Sequence, residues 1–558
     1  MNFSLNDPST KKCFSKNFSL FKSRFPNLAS IIDEKKAYDY AINGATQLEF
    51  VESKNGELTA TYQKKALHSL YNVKRESLSL AQNEKCSKNE TTIFFSYGLG
   101  YSALEFAKNN PEKRLLIIES DLPFAFLPFL TTDLSDLFSH KKLILLFGLN
   151  FEEIIGFFEN QQIEQYNLLR NPTQTLHNQL YFDQLEELLE RNKKKIQINN
   201  NTLQKFGKLW CRNVFKNFAM ANKMSGVENL KDKFKGQRAI VLAAGPSLAQ
   251  ILPLLKKIQE KCIVICVDTA LKHVIKAGII PDFTILMDSQ YWNSRHLDFT
   301  ETQDTVLISE SSVHHSVFRH KWKNIFLCDS QYPLGKIIEK DASYGKLGSG
   351  GSVATCSWDF ARFIGCNTIF MAGLDLGYSE NQTHIKGSTF ETKALFESDR
   401  LDGLEKKWSA GIFSAPNIFE KNYEGGTIRT DSRMQMYAWW FESKTSEFPD
   451  IKTYNLGIKS LFIANIEYKN VSEIFELEDL PYSRKQISKI IEQAAKCPSK
   501  EFQQTRIDNI KRFMCLLESE ESKEKSYENL SHDEMAVLKI YSDSINDLEE
   551  NLKKITKN

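Results

Sequence analysis

The chain has 558 residues, 41% hydrophobic and 25% charged, with a formal net charge of +2. That length exceeds what one hydrophobic core organises and predicts two or three domains. The balanced charge, spread along the chain, excludes bulk attraction to nucleic acid or to an anionic membrane, and no apolar run approaches the ~20 residues a spanning helix needs.

Residues 1–20 carry lysines but neither a continuous apolar core nor a small-residue cleavage site, so they do not read as a secretory signal. The ten cysteines are scattered. Cys262 and Cys266 lie in the apolar run KCIVICVD and read as small buried hydrophobes rather than metal ligands. The expected location is the reducing cytoplasm.

Residues 1–200 alternate apolar runs (TTIFFSYGLG, RLLIIESD, KKLILLFGLN) with helical patterns, which predicts a Rossmann-like domain with a parallel sheet. Gly98 and Gly100 follow its first strand. Glu119 and Asp121 end the second, at the spacing of a dinucleotide or adenosyl site. The glycine motif is incomplete, with Tyr101, Ser102 and Ala103 where more glycine belongs, and the plainer reading is a domain that binds no cofactor. Residues 201–235 form a helical connector. Residues 236–475 form a second α/β domain. Residues 476–558 are rich in Glu, Lys and Ile at helical spacing and predict a helical region. Its bland role is packing or homo-oligomer formation; the sharper one is contact with a protein acceptor. The fold class is therefore α/β, with a helical C-terminal region.

The second α/β domain carries the chemistry. In AIVLAAGPSLAQILPLL a strand ends in Gly245, Pro246 and Ser247 and a helix follows. Gly allows a sharp turn, Pro suits a first helical turn, and Ser247 adds a hydroxyl beside free backbone N–H groups. Such a turn suits a nucleotide phosphate. The next strand ends at Asp268 and Thr269, placed to contact a ribose or base. Asp282 reads as turn chemistry or a helix cap. Asp288 ends the third strand as a lone carboxylate, placed for substrate contact and weak as a metal site.

A second glycine cluster, Gly348, Ser349, Gly350, Gly351 and Ser352, precedes a helix and reads as another phosphate or sugar cradle. The following strand ends in Gly373, Asp375 and Tyr378, and His384 lies in the loop beyond. An imidazole there can take a proton from an acceptor hydroxyl; the bland alternative is a structural histidine, and His314 and His315 are second choices. In NYEGGTIRTDSRMQMYAWWFE, Thr430 is placed to cap a helix. Its Tyr437, Trp439, Trp440 and Phe441 read as core rather than as a sugar platform. Three candidate loops thus follow three strands, which places them on one edge of one sheet.

The combination of AAGPSL, VDTALKHVIKAGIIPDFTILMD, GSGGSVATCSWDFARFIGCNTIFMAGLDLGY, THIKG and EGGTIRT resembles the motility accessory factor family of flagellin glycosyltransferases, whose central domain is also described as MptE-like. YGLGYSALEF with IIESD is similar to that family's N-terminal domain. The central domain also resembles bacterial sialyltransferases that use a CMP-sugar. Their Gly-Pro-Ser turn corresponds to Gly245, Pro246 and Ser247. The polar strand end corresponds to Asp268, where Asn is usual. Their serine-glycine loop corresponds to Ser349, Gly350, Gly351 and Ser352. Their Gly-Ile-Asp-Phe-Tyr strand end corresponds to Gly373, Asp375 and Tyr378, with one residue inserted. Their catalytic histidine has no aligned counterpart, and His384 stands nearest.

The resemblance implies transfer of a pseudaminic or legionaminic type of nonulosonic acid from its CMP-activated form to Ser or Thr hydroxyls of flagellin. His384 would be the base, Tyr378 would steady the departing phosphate, and Asp375 would join them. No cofactor is implied, and no metal is required for a leaving group with one phosphate. Two alternatives stay open: a pterin diphosphokinase, which wants clustered carboxylates, and a non-catalytic flagellin-binding factor.

Overall fold

The computed structural model describes residues 4–5, 7–82, 91–161, 163, 165–521, 530–541 and 545–557. The chain divides into two compact units, Met1–Asn201 and Thr202–Asn558.

In the first unit β1 (Glu49–Glu52), β2 (Leu58–Tyr62) and β3 (Lys65–Ala66) form a small antiparallel sheet. β4 (Thr91–Phe95), β5 (Arg114–Glu119), β6 (Leu143–Phe147) and β7 (Asn167–Arg170) form a parallel sheet of order β6-β5-β4-β7. β4 and β5 are buried almost throughout, which is why they read as continuous apolar runs. The sheet is Rossmann-like, as expected, and its glycine loop is filled by the protein itself. The Leu99 N–H donates to His68 Nε2 at 2.9 Å. A Cβ on Gly98 would stand 2.7 Å from that nitrogen and 3.0 Å from the Gln174 amide. Glu119, placed by sequence to hold a ribose, is fully buried and meets His177 Nε2 at 2.7 Å. Phe124 stacks on that imidazole at 3.9 Å. Asp121 begins the next helix, half-exposed.

A single helix, Gln179–Ala221, runs through the boundary between the units. The connector expected from residue 201 is therefore the second half of a longer helix. Asn213 and Asn217 sit one turn apart on it, both buried. Asn213 Nδ2 donates to the carbonyls of Ser289 and Ser312, and Asn217 Nδ2 to those of Ser311 and Val313, all at 2.8–2.9 Å.

In the second unit β8 (Ser225–Gly226), β9 (Arg238–Leu242), β10 (Ile263–Val267), β11 (Phe283–Ile285), β12 (Val306–Ser309), β13 (Asn324–Leu327) and β14 (Thr368–Ala372) join a nine-stranded sheet. β15 (Asn417–Lys421) and β16 (Thr427–Asp431) form a separate hairpin. β17 (Lys452–Asn455) and β18 (Glu467–Tyr468) complete the large sheet, whose order is β18-β17-β14-β9-β10-β11-β12-β13-β8 and whose pairings are all parallel.

Strand periodicity splits β9 and β10 between two cores. Ala239, Val241, Ile263 and Ile265 face one; Ile240, Leu242, Val264 and Cys266 face the other. Cys262 and Cys266 are fully buried there, and burial raises both thiols, Cys262 to about 12. Both are the small hydrophobes expected. Asp282 departs from its expected turn role: its carboxylate accepts from the Val264 N–H at 2.8 Å and pairs with Arg484.

The C-terminal helices pack within this second unit. Ile510, Phe513, Val537 and Leu552 share a core with Cys211, Val214 and Phe218 of the long helix. Among the described residues no helix is long and apolar enough to cross a membrane.

Asn217→Leu should strip two buried carbonyls of their partners and cost about 2–4 kcal/mol. Urea unfolding monitored by circular dichroism should show the fall in midpoint with an unchanged slope.

Candidate functional site

β9 and β14 lie side by side, yet the chain leaves β9 toward β10 and reaches β14 only after β13. Such a reversal opens a crevice at the carboxyl ends of the strands, where α/β sheets bind ligands. A cavity of about 250 Å³ opens there. It is lined by residues 243–245 after β9, Asp268 and Thr269 after β10, and Asn293 and His296 after β11. Ser352, Val353 and Ala354, residues 373–377 after β14, and Thr383, His384, Phe390, Met434 and Tyr437 complete it. The ends of β9, β10 and β14 and the loop after β11 meet at this one cavity.

The crevice is closed at its base by a contact between the two strand ends. Ser247 donates to Asp375 Oδ2 through its backbone N–H at 3.1 Å and its hydroxyl at 3.0 Å. Ser460, after β17, donates to Oδ1 at 3.3 Å. The Gly245 N–H donates to the Gly373 carbonyl at 2.9 Å. A Cβ on Gly245 would meet Asp375 Oδ2 at 2.0 Å, and one on Gly373, whose φ is +72°, would meet the Ala243 carbonyl oxygen at 2.2 Å. Both glycines are therefore set by close approach.

This corrects the expected phosphate turn. The helix after β9 has only four residues, Leu248–Ile251, and Pro246 lies before it in the turn. The Ser247 N–H of this turn is taken by the protein's own Asp375. Burial raises that carboxyl to about 6, against the lowering pull of its Ser247 and Ser460 bonds.

The second glycine loop differs in the same way. The Gly348 N–H donates to Asp359 Oδ2 at 2.6 Å and the Gly350 N–H to Thr355 Oγ1 at 2.9 Å. Both acceptors belong to the helix that follows. A Cβ on Gly350 would strike the Trp440 ring at 2.4 Å. Ser349 and Gly351 are exposed and, with Gly350, do not line the cavity. Ser352 does line it, and caps Val353–Phe363, an eleven-residue helix whose first turn opens into the crevice.

The carboxylates along the strand ends are held close to neutrality. Burial raises Asp268 to about 7; its bond from the Thr269 N–H lowers it and nearby Asp288 raises it further. Asp288 does not line the cavity. Its oxygens accept from the Gln290 backbone at 2.8 Å and side chain at 3.4 Å, and burial raises it.

Tyr378 is buried, and its hydroxyl donates to Asp431 Oδ2 at 2.8 Å. Arg433 pairs with the same oxygen at 2.8 Å. Asp431 caps the helix Ser432–Glu447. The cap expected at Thr430 is thus one residue on, and Thr430 donates to the Leu376 carbonyl at 2.8 Å instead.

A second cavity of about 510 Å³ holds Tyr378, Lys386, Lys407 and Arg433, and shares Thr383, His384, Phe390, Met434 and Tyr437 with the first. Tyr437 therefore faces the site, while Phe441 is core and Trp440 packs edge-on to Trp358.

His384 stands on the wall between the two cavities. Its Nδ1 lies 3.2 Å from Thr383 Oγ1, and burial lowers its pKa to about 4, so it is a neutral imidazole at physiological pH. The His314 and His315 rings lie 4.2 Å apart, tilted by 40°, and line neither cavity.

Sequence reasoning missed Ser460, Asn293, His296 and Phe390. Ser460 had a signal, since NLGIKS follows an apolar strand. Asn293 and His296 lie in a polar stretch, YWNSRHLDF, with no distinguishing spacing.

The chain matches a family model described as 6-hydroxymethylpterin diphosphokinase MptE-like over residues 212–381. An uncharacterized protein of Treponema pallidum (strain Nichols) is 31% identical over 233 residues, a stretch covering 36% of this chain and 59% of that relative's length. A second from the same organism is 28% identical over 264 residues, covering 44% of this chain and 86% of the relative. Among solved structures, a Maf glycosyltransferase from Magnetospirillum magneticum AMB-1 superposes with a TM-score of 0.64 at 13% identity, over 98% of this chain and 94% of that one. The chain therefore has the Maf glycosyltransferase fold along nearly its whole length.

Asp268 carries a pH signature. Its folded value of about 7 lies above the ordinary carboxylate value of 3.8. The folded form binds the extra proton between those values, so this contribution is fully present below pH ~4 and lost as pH rises through ~7. Asp268→Asn removes the loss. The variant's Tm should gain on the parent's between pH 5 and pH 8 in paired thermal melts.

Proposed function

We propose that this protein is a glycosyltransferase that moves a nonulosonic acid, of the pseudaminic or legionaminic type, from its CMP-activated form to Ser or Thr hydroxyls of flagellin. The observation that carries the reading is the pair of adjoining cavities with a neutral histidine on their common wall. One cavity lies at the strand reversal, where a nucleotide binds; the other has room for an acceptor. The likeness in fold to a Maf glycosyltransferase supports the reaction class. The sequence motifs support the donor and acceptor.

In this reading the phosphate sits at the first turn of Val353–Phe363, where N–H groups and the helix dipole favour an anion. The ribose and base lie toward Asp268 and Thr269. The acceptor hydroxyl approaches through the larger cavity, whose Lys386, Lys407 and Arg433 offset negative charge. The acceptor oxygen bonds to the anomeric carbon as that carbon's bond to the CMP oxygen breaks. CMP leaves with the electron pair, and the hydroxyl proton passes to His384 Nε2. Thr383 orients the ring through Nδ1.

Asp375 acts on the site's shape, holding the two strand ends together. Tyr378 acts through Asp431, which also holds Arg433 beside the acceptor cavity. We place the reaction in the cytoplasm; the nine free cysteines among the described residues support a reducing compartment.

The MptE-like match favours a second reading, diphosphoryl transfer to a pterin. The carboxylates count against it. Among the described residues no three His, Cys, Asp or Glu side chains cluster as a metal would need, whereas phosphoryl transfer from ATP wants Mg²⁺ on clustered carboxylates.

Flagellin co-expressed with this protein and a CMP-nonulosonate pathway should gain mass in nonulosonate-sized steps. His384→Ala should slow the transfer about 100-fold or more while the protein stays folded. Unmodified flagellin in the presence of the donor would move the assignment to a flagellin-binding factor.

A further inference from the structure

His296 is only 2% exposed, yet neither of its ring nitrogens has a hydrogen-bond partner among the described residues. It lies in the short turn Arg295–Leu297 beyond β11 and lines the smaller cavity. Leaving a buried polar group unpaired is destabilising, because its lost hydration is not replaced. Both nitrogens are buried in the ligand-free chain, and a cavity-lining ring with two unmet partners points to a ligand that supplies them as it binds.

The surroundings narrow what that ligand is. The Phe390 ring centroid stands 4.9 Å from that of His296 and 4.7 Å from that of His384, so one phenyl contacts both imidazoles. Phe390 is 40% exposed and lines both cavities. Burial, with repulsion from His384, lowers His296 to about 4. The ring is therefore neutral at physiological pH. A neutral imidazole offers one N–H donor and one bare acceptor nitrogen. A phosphate oxygen matches only the donor. A sugar carrying several hydroxyls and an N-acyl group offers separate partners for both, and the phenyl face suits the C–H surface of the same sugar.

We propose that His296 reads the sugar of the donor: its two ring nitrogens bond separate hydroxyl or N-acyl groups of the nonulosonate, with Phe390 against the sugar ring and His384 toward the acceptor. This assignment rests on the CMP-nonulosonate reading and gives His296 a recognition role distinct from the proton transfer at His384. Asn293, on the same loop and in the same cavity, stands beside it.

The test is calorimetric titration of the full chain and its variants with CMP alone, CMP-pseudaminate and CMP-legionaminate. The parent should bind at least one sugar nucleotide more tightly than CMP. His296→Phe keeps a ring and removes both unpaired nitrogens, so its Tm should match or exceed the parent's. Its affinity for CMP should stay within about twofold, and its affinity for the sugar nucleotide should fall about 10-fold or more, the loss of two hydrogen bonds. His296→Asn keeps a donor and an acceptor and should recover part of that loss; it decides the matter if the Phe variant melts early. Equal loss for CMP and the sugar nucleotide, or no loss for either, overturns the assignment. A parent that binds none of the three ligands overturns the donor reading itself.

Discussion

The site depends on one contact, the carboxylate of Asp375 received by the backbone N–H and hydroxyl of Ser247. β9 and β14 are neighbours in the sheet but distant in the chain, and a parallel sheet alone leaves their carboxyl ends splayed. Asp375 ties them. It accepts from the Ser247 N–H in the turn after β9 and from Ser460 after β17, and it leaves no room for a Cβ at Gly245. The carboxylate occupies the position a phosphate takes in a glycine-turn nucleotide site. The first turn of Val353–Phe363, capped by Ser352, is another helix start that lines the cavity.

The edge of the sheet is electrically quiet. Asp268 and Asp375 are buried and shifted toward the neutral form, and two neutral histidines line the same space. A phosphate entering such a site meets little fixed repulsion. The stronger charges stand in the adjoining cavity, where Arg433 is fixed by Asp431 and Lys407 pairs with Asp402 at 2.7 Å. Neutral recognition on one side and cations on the other suit a donor with a polar sugar and an acceptor brought by a larger molecule.

Much of this was legible in the sequence. Continuous apolar runs gave the buried parallel strands, and the breaks after them gave the strand ends. The buried character of Cys262 and Cys266 followed from their neighbours. What the sequence hid was where polar groups are satisfied. The N–H groups of Gly348 and Gly350 look free in the sequence, yet Asp359 and Thr355 of the next helix take them. The glycine loop after β4 looks like half a cofactor site, yet His68 fills it from before β4. Asp375 and Ser247 are 128 positions apart, and no local pattern pairs them. His296 has no motif at all; only its burial without partners marks it.

The account's central claim is that the β9–β14 crevice holds the donor nucleotide. A crystal structure of the full chain with CMP tests it most directly. The account predicts density for the nucleotide in the crevice, its phosphate at Ser352, Val353 and Ala354 and its ribose near Asp268. An empty crevice at saturating CMP, or a nucleotide bound at the loop after β4, would contradict it.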